Sequence, residues 1–513
     1  MSKRYDVAIL GSSFSGSILA AILASQGMSV LMLDRGQHPR FAIGESSTPT
    51  ADFLLEAIAN RWNLTTLLPL ARWGTWQASY PQLTAGKKRG FSYFAHHSGQ
   101  PFSDNDQNEN SLLVAASVND ALSDTHWLRA DVDHFLFQHA QSQGVEAFER
   151  CETIELKQDP TWNIRWQLPI GNKHTTCDAS ANWLIDATGA GGVLAKTVGL
   201  QAHDHQLLTQ TGALFSHFQD VASWDELQQQ AGNDSTIQPF NSDDAAQHHL
   251  MENGWMWVLR FNNRCTSVGV VKPTSYWDQS NINNQDLLPT WRHELSKYPS
   301  LQQMLAPAEM KRPLQFQRKL SRIWSSASGD GWAMLPTTAG FIDPLHSSGI
   351  AHALSGVYRL ASLLLNAEYD PTAWMQYGLD VLDEVHWIDQ LVDACYTALP
   401  NFDCFCMAAN FYFLSAIDAE RDFASSLSRQ SSNIIHGDLP SFLSSQKTPL
   451  RQAVATSIRE LKVLAHSSNS ESIAVDDRAR WIENTRIRIA AWNWAGLGDR
   501  EAHNRYARSA AEK

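Results

Sequence analysis

The sequence has few cysteines, and their spacing supports neither a disulfide framework nor a metal cluster. Its 513 residues include 6 cysteines, with no C-x-x-C motif among them. They are Cys151, Cys177, Cys265, Cys395, Cys404 and Cys406. Scattered cysteines of this kind are typical of a reduced, cytosolic protein. We therefore expect a cytoplasmic protein without a metal site.

Long apolar runs are lacking as well. The most apolar stretch of the later chain, residues 404–417, is shorter than the ~20 residues that a membrane-spanning helix needs. Near the start, Asp6 interrupts any signal-peptide pattern. We therefore expect no transmembrane segment and predict that residues 404–417 form either a buried helix or a wall of an apolar pocket.

The overall charge of the chain is acidic rather than basic. Its net charge is −13, which argues against nucleic acid or an anionic membrane surface as the main partner. Tryptophan, in contrast, is abundant at 19 residues, which is typical of proteins with aromatic-lined pockets but also serves core packing. A chain of this length is expected to form two or three subdomains.

A strand, a tight turn, a helix and a second strand follow one another at the start of the sequence. The apolar residues 7–10 lead into Gly11, Ser13 and Gly16, in the frame G-x-G-x-x-G with serine at the middle position. A second apolar run, residues 30–33, ends on Asp34. This order predicts a dinucleotide-binding unit, in which helix amides face a pyrophosphate and the acid takes a ribose hydroxyl. The alternative is an ordinary βαβ unit with a glycine turn. The predicted contacts are Gly11, Ser13, Phe14, Ser15, Gly16, Asp34 and Arg35.

Four later segments decide which nucleotide. Residues 44–49, Gly-Glu-Ser-Ser-Thr-Pro, resemble the G-E-S/A-x-x-P signature of the flavin-dependent halogenases, and residues 186–189 resemble the D-A-T/S-G stretch of that superfamily. Residues 339–350 are similar to the block A-G-F-I-D-P-x-x-S-S/T-G-I/V, and Arg129 matches the R-x-x-F/L segment. The resemblance is closer to phenol- and pyrrole-type members than to the tryptophan type. It implies that FAD contacts also come from Ser46, Arg129, Thr188, Gly189, Thr337, Asp343 and Ile350.

Two further motifs carry the chemistry that the resemblance implies. Lys87 and Lys88 stand where the family has K-K-x-G, and the match selects Lys88 as the catalytic lysine, with Lys87 as the fallback. Because a strand follows, one lysine should face inward and the other outward. The alternative is a solvated basic turn. Trp255 and Trp257 match the W-x-W motif and, with His346, are predicted to line the substrate tunnel.

Halide binding in the family maps to Ser348 and Gly349, where the start of a helix suits an anion. The sequence departs from the family pattern elsewhere. Arg260 replaces a proline, and Pro336-Thr337 replaces a Gly-Asp pair. His346 stands where tryptophan-type members carry a glutamate, which argues against free tryptophan as the substrate.

The resemblance implies an enzyme of secondary metabolism that uses FAD as FADH2, O2 and a halide, chloride or bromide. Hypohalous acid would pass through a tunnel to the lysine and halogenate an electron-rich, aromatic substrate, either a small molecule or a carrier-bound group. Since only one nucleotide fingerprint is visible in the sequence, we expect a separate flavin reductase. The alternatives are an FAD monooxygenase or other oxidoreductase on the same scaffold, and a flavin-binding protein without turnover.

The predicted fold class is α/β, with a Rossmann-like FAD-binding domain of the glutathione-reductase type. It comprises residues 1–80, 110–200 and 320–365. An inserted domain built on a mixed or antiparallel sheet comprises residues 81–109 and 201–319. Residues 366–513 form a C-terminal helical region. Within the first domain, Asp131 is predicted to be the N-cap of a helix.

Overall fold

The structure is a computed structural model. It describes residues 3–170, 173–233, 238–280, 282, 285–429, 439–467 and 472–507. Among the helices in these ranges, none is both long enough and apolar enough to cross a bilayer.

Strands and helices alternate through the first half of the chain, and helices dominate its end. The strands are β1 (Lys3–Leu10), β2 (Val30–Leu33), β3 (Ala85–Lys88), β4 (Gly90–Ala95), β5 (Ser111–Ala115), β6 (Asp124–Trp127), β7 (Glu146–Phe148), β8 (Glu152–Gln158), β9 (Trp162–Ile170), β10 (Lys173–Asp186), β11 (Thr211–Gln219), β12 (Ala245–Met251), β13 (Gly254–Arg260), β14 (Cys265–Pro273), β15 (Glu309–Met310), β16 (Gln315–Gln317), β17 (Arg322–Ile323), β18 (Ser328–Gly329), β19 (Trp332–Met334), β20 (Gly340–Phe341) and β21 (Arg505–Tyr506). The helices are α1 (Phe14–Ser25), α2 (Pro49–Arg61), α3 (Trp73–Ser79), α4 (Arg129–Ser142), α5 (Val193–Thr197), α6 (Trp224–Gln230), α7 (Thr274–Gln279), α8 (Leu288–Ser296), α9 (Pro299–Leu305), α10 (Pro336–Ala339), α11 (Gly349–Leu364), α12 (Pro371–Ala398), α13 (Phe402–Arg429), α14 (Thr448–Ser467) and α15 (Val475–Ile489).

The first sheet is built around the predicted nucleotide-binding unit. Its strand order is β18-β19-β10-β1-β2-β7, and β1 pairs in parallel with both β10 and β2. The β8–β9 hairpin extends the sheet by antiparallel pairing of β9 with β10. Helix α1 is buried along nearly its whole length against α4 and α11. All residues of 7–10 in β1 and of 30–33 in β2 are buried, which explains why these two stretches are continuously apolar rather than alternating.

The second sheet has the order β15-β11-β14-β13-β12-β4-β5-β21. Most of its pairs are antiparallel, whereas β12 with β4 and β21 with β5 are parallel. The two sheets and the helical end confirm the predicted α/β architecture with a mixed second sheet. Strand β5, which the sequence assigned to residues 110–200 of the first domain, pairs with β4 in the second sheet. The division into domains stays a prediction.

A separate two-stranded sheet carries the predicted lysine. Strand β3 pairs antiparallel with β6, which places Lys88 opposite Asp124 and Lys87 opposite Thr125. The long helices α12 and α13 pack against each other, and α13 also contacts α2. As predicted, residues 404–417 are helical, and they are fully buried within α13.

The predicted N-cap at Asp131 is wrong. Helix α4 begins at Arg129, and its N-cap is Leu128, which has extended backbone angles. Asp131 lies inside the first turn, where an acid still interacts favourably with the helix dipole. The cap position is set by where the backbone turns helical, and the strand β6 ends only one residue earlier.

Candidate active site

Two positions at the junction of β1 and α1, Gly11 and Gly16, have no room for a side chain. Gly11 has φ 96°, and a Cβ there would lie 2.6 Å from the carbonyl oxygen of Ala187. A Cβ on Gly16 would lie 2.2 Å from the carbonyl oxygen of Gly11. Helix α1 starts at its N-cap Ser13 without a side-chain cap and without an acid in its first turn. These features suit a pyrophosphate at the helix start.

Asp34 follows β2 and is held in place by several donors. It accepts hydrogen bonds from the Ser12 amide and hydroxyl, both at 2.8 Å, from the Gly36 amide at 2.7 Å and from Arg40 Nη2 at 2.9 Å. Burial alone would raise the pKa of Asp34, but Arg40 and the amides outweigh it and lower that pKa. An ionised acid at this position suits a ribose hydroxyl donor. The adjacent Arg35 is exposed.

Arg129 ties the segment 44–49 to helix α4. Its Nε and Nη2 donate to the two Asp133 carboxylate oxygens at 2.8 and 2.9 Å. Its Nη1 donates to the carbonyls of Ile43 and Gly44, both at 3.0 Å. The guanidinium also lies 4.7 Å from the ring centroid of Phe14. Arg129 therefore fixes the loop that carries Ser46, and its role as a direct flavin contact stays a prediction.

The sequence analysis missed Asp133, which also accepts the Phe14 amide at 3.2 Å. The spacing of four residues between Arg129 and Asp133 on a helix was the available signal.

A buried ion pair connects the same loop with the second sheet. Glu45 Oε1 lies 2.9 Å from His217 Nε2 on β11, and both residues are buried. Burial alone would lower the pKa of His217, but the Glu45 carboxylate outweighs it and raises that pKa to about 10. His217 is therefore an imidazolium at neutral pH. No sequence signal pointed to this pair, because its members are 172 residues apart.

The chain leaves open space after β10. Thr188 donates its amide and hydroxyl to Asp186 Oδ1, at 2.8 and 2.6 Å. Gly189 has φ 58°, and a Cβ there would meet no heavy atom within 4 Å. Its amide donates to Thr338 Oγ1 at 2.9 Å. The backbone here is thus rigid and accessible, as a cofactor-contacting turn requires.

Asp343 is the centre of a buried hydrogen-bond network that joins the sheet to α12. Its Oδ2 accepts from Thr211 Oγ1 at 2.7 Å and from the Tyr396 hydroxyl at 3.0 Å. Tyr396 in turn accepts from Trp255 Nε1 at 3.0 Å. Burial raises the pKa of Asp343 to about 6. The network therefore connects Trp255, a predicted tunnel residue, through Tyr396 to Asp343, a predicted flavin contact.

The predicted halide site lies at the start of α11. Ser347 has φ 54°, and Ser348 is the N-cap of a 16-residue helix that carries no side-chain cap and no acid in its first turn. Ser348 and Gly349 line a cavity together with Thr337, Asp343 and His352. The next residue, Ile350, is buried. Free amides at a helix start that open on a cavity suit a small anion.

The two lysines differ sharply in their surroundings. Lys88 is 0% exposed, its Nζ donates to the carbonyl of Ser47, and it lies 3.9 Å from the ring centroid of Phe91. Lys87 points the other way and pairs with Asp120 at 2.6 Å and with Asp244 at 2.9 Å. Burial lowers the pKa of Lys88 to about 8, although neighbouring acids oppose the shift.

The predicted tunnel residues Trp255, Trp257 and His346 lie among other aromatic side chains. The rings of Trp255 and Trp257 are 6.2 Å apart on one face of β13, as their spacing predicted. His346 stacks on Tyr412 at 4.5 Å, and its Nε2 lies 3.5 Å from Cys395 Sγ. Burial lowers the pKa of His346 to about 3, so it is uncharged. Within the described ranges, buried polar atoms without a partner include Ser46 Oγ, Thr48 Oγ1, Ser92 Oγ, Tyr93 OH and His346 Nδ1.

The departures from the family pattern have structural counterparts. Arg260 donates to Asp243 at 3.0 Å and to the carbonyls of Val221 and Ala222 at 2.9 and 2.6 Å. A Cβ on Gly86 would lie 1.9 Å from the Arg260 carbonyl oxygen. The end of β13 is therefore pressed against the strand that carries the lysines. Near Pro336-Thr337, the guanidinium of Arg322 donates to the Thr337 carbonyl.

Comparison with known proteins identifies a matching family. The sequence profile of the tryptophan halogenase family matches residues 106–408. The tetracycline 7-halogenase of Kitasatospora aureofaciens is 28% identical over 418 residues, covering 78% of this chain and 71% of that protein. A chlorinase of Pseudomonas fluorescens that acts on 1H-pyrrole-2-carbonyl-[peptidyl-carrier protein] is 24% identical, covering 70% of this chain and 75% of its own.

Solved structures share the fold over nearly the whole chain. The crystal structure of halogenase PltM in complex with phloroglucinol and FAD has a TM-score of 0.86 and 22% sequence identity. It covers 97% of this chain and 99% of that one. At this identity the likeness concerns the fold alone.

Proposed function

This chain belongs to the tryptophan halogenase family and is a flavin-dependent halogenase, and from that premise we propose that Lys88 delivers the halogen to a phenol- or pyrrole-type ring. The observation that carries the proposal is the complete burial of Lys88, next to a lysine that pairs with acids at the surface. A solvated basic turn would leave both amines in water. Burial of an amine is costly, which makes a role for Lys88 the better explanation.

The cofactors are FAD, supplied in reduced form, and halide. Reduced FAD with O2 supplies the oxidising power that turns chloride or bromide into hypohalous acid. In our proposal the turn from Gly11 to Gly16 holds the pyrophosphate and Asp34 holds a ribose hydroxyl. The start of α11 at Ser348 and Gly349 holds the halide. These residues fit the groups because the glycine turn, the ionised acid and the uncapped helix start are all present.

The amine of Lys88 then holds or orients the hypohalous acid. Burial lowers its pKa to about 8, so both the charged and the neutral amine are accessible near neutral pH. The ring bonds to the halogen, and the ring proton and the hydroxide of the hypohalous acid leave together as water. The residues around Lys88 exclude solvent, which otherwise would compete for the electrophile.

The substrate pocket is the aromatic region next to β4. His346 is uncharged there, so no acid stands at the position where tryptophan-type members carry a glutamate. Tyr93 OH and His346 Nδ1 have no partner among the described residues. A phenol hydroxyl or a pyrrole N–H could pair with such groups. Two similar proteins act on or bind rings of these kinds, a carrier-bound pyrrole and phloroglucinol.

We further propose two partners. A separate flavin reductase supplies FADH2, since a second nucleotide fingerprint is not visible in the sequence. The substrate is either a free small molecule or a group on a carrier protein, and the product assay below includes both forms.

The test is product analysis by mass spectrometry. The purified protein is incubated with a flavin reductase, NADH, FAD and bromide against phenols, pyrroles and indoles, free and carrier-bound. We expect a bromine isotope doublet on a phenol or pyrrole, lost without the reductase. A hydroxylated product without bromine would favour an FAD monooxygenase instead.

The matched variants are Lys88→Ala and Lys87→Ala. We expect Lys88→Ala to lose product by at least about a hundredfold, in the range typical of a removed catalytic group, with unchanged FAD content and peroxide release. Lys87→Ala should retain most of the activity because its amine lies outside the pocket. Full product formation by both single variants and by the double variant would overturn the assignment of Lys88.

A further inference from the structure

Three buried acids surround Lys88, and none of them has been given a role. Asp124 is its partner across the β3–β6 pair. Asp52 comes from α2, and Glu420 comes from α13. All three face the amine closely enough to influence its charge, and all are buried. We call Asp52, Asp124 and Glu420 the acidic cluster.

Hydrogen bonds connect the acidic cluster to its surroundings. Glu420 Oε1 accepts from Thr50 Oγ1 at 2.9 Å. The carboxyls of Asp52 and Asp124 are neighbours, and each of them shifts the pKa of the other. Asp52 Oδ1 and Asp124 Oδ2 have no donor elsewhere among the described residues. Two neighbouring buried carboxyls repel each other when both are ionised, so one of the pair keeps its proton and can donate it to the other.

Charge balance decides how many of these acids are ionised. The other groups that face Lys88 or the cluster are His126 on β6, His248 on β12, Tyr412 on α13 and the ion pair of Arg72 with Glu56. Burial lowers the pKa of both histidines to about 3, so they are neutral, and the ion pair is neutral as a whole. One buried ammonium can balance one buried carboxylate. The two remaining acids must therefore stay protonated, because an unpaired buried charge is costly.

The pKa directions agree with this count. Burial raises the pKa of Asp124 only to about 6, because Lys88 opposes the rise. Burial raises the pKa of Glu420 to about 8 and that of Asp52 well above its usual value. At neutral pH, Asp124 is thus the ionised member of the cluster.

We propose that Asp124 is the counter-ion that sets the protonation state of Lys88, and that protonated Asp52 and Glu420 are positioning residues that keep the cluster at a single negative charge. The inference rests on the proposed catalytic role of Lys88. It adds that the pH range of halogen transfer is set by acids from three separate elements. Asp52 acts through Asp124, because its proton donates to that carboxylate and keeps it ionised.

The first test is the pH dependence of kcat/KM for halogenation, measured on FAD-loaded protein with reductase present. Asp124→Asn removes the negative charge opposite Lys88. The part of the pH profile that is set by the titration of Lys88, near pH 8 in the wild type, should therefore move to lower pH by about one unit or more. Such a shift corresponds to about a tenfold change in the ratio of protonated to neutral Lys88. Asp120→Asn is the matched control, since Asp120 pairs with the outward Lys87, and it should leave the profile in place. Equal profiles for both variants would overturn the proposal.

A second pair of variants covers the case in which Asp124→Asn fails to fold. Asp52→Ala removes the donor to Asp124 and should move the acidic limb, near pH 6 in the wild type, to higher pH. Asp52→Asn keeps an N–H donor and should bring that limb back toward the wild-type position. An identical shift in both Asp52 variants would contradict the shared proton.

Unfolding measurements separate this inference from the proposed function. Denaturant unfolding between about pH 6 and pH 10 reports the Lys88 charge through linkage and needs no turnover. Because the folded-state pKa of Lys88 is about 8 against its usual 10.5, the contribution of Lys88 to stability rises with pH only above about 8. This rise should start at lower pH in Asp124→Asn than in Asp120→Asn. If the two variants show no such difference, the proposed role of the acidic cluster is wrong, even if Lys88→Ala abolishes product formation. If Lys88→Ala remains active, only the catalytic role of Lys88 is wrong.

Discussion

Glu420→Gln gives the sharpest prediction about stability, because it acts on a buried acid that has no strong basic partner. Burial raises the pKa of Glu420 from 4.5 to about 8, and Asp124 adds to the effect. At pH values below the unfolded-state pKa of Glu420, the carboxyl is protonated in both the folded and the unfolded state. As the pH rises toward 8 only the unfolded state ionises, so the wild-type protein loses stability over that range.

The magnitude follows from the size of the pKa change. Between pH 4.5 and about 8, at about 1.4 kcal/mol for each pH unit, the wild type should lose at most about 5 kcal/mol through this residue. Glutamine keeps an oxygen for the Thr50 hydroxyl, 2.9 Å away in the wild type, and carries no charge at any pH. The advantage of Glu420→Gln over the wild type should therefore grow with pH and level off above pH 8.

The assay is urea unfolding of both proteins, followed by tryptophan fluorescence, between about pH 5 and pH 9. Glu384→Gln is a control of opposite sign. Burial would raise the pKa of Glu384, but Arg359 and His352 outweigh it and lower that pKa. The contribution of the Glu384 carboxylate is fully present above its unfolded-state pKa of about 4.5, so across this pH range Glu384→Gln should be less stable than the wild type by a constant amount. Parallel curves for Glu420→Gln and the wild type would refute the reasoning.

Two further variants address the cofactor site. Gly16→Val places a side chain where a Cβ alone would lie 2.2 Å from the Gly11 carbonyl oxygen, so the purified protein should lose most of its flavin absorbance; a variant as yellow as the wild type would show that this turn does not hold the cofactor. Tyr396→Phe leaves Trp255 Nε1 without its acceptor and removes one donor from Asp343. The free energy of unfolding should fall by about 1–3 kcal/mol, and an unchanged urea midpoint would contradict a structural role for this hydroxyl.

Local patterns were enough to predict several backbone features of the candidate site. The turn from Gly11 to Gly16 could be recognised because the constraints on backbone approach are local in sequence. The opposite orientations of Lys87 and Lys88 followed from the two-residue period of a strand. The helix start at Ser348 was predictable for the same reason, since an N-terminus and its amides are set by neighbouring residues.

Contacts between distant segments could not be predicted in this way. Glu45 and His217 are 172 residues apart, and Thr50 and Glu420 are 370 apart. Nothing in the residues around Glu420 distinguishes it from an ordinary acid on a helix. Its high pKa arises because α13 packs against α2 and removes Glu420 from water, and Asp124 on β6 adds to the effect.

The sequence by itself determined the α/β architecture and the cofactor class, and it singled out Lys88 as the proposed catalytic lysine. Each depends on short motifs whose spacing fixes the local backbone. Tertiary structure alone decided the charge state around that lysine, because Asp52, Asp124 and Glu420 come from α2, β6 and α13. Ionisation in a protein interior depends on desolvation and on the nearest charges in space, and both are properties of the packed chain.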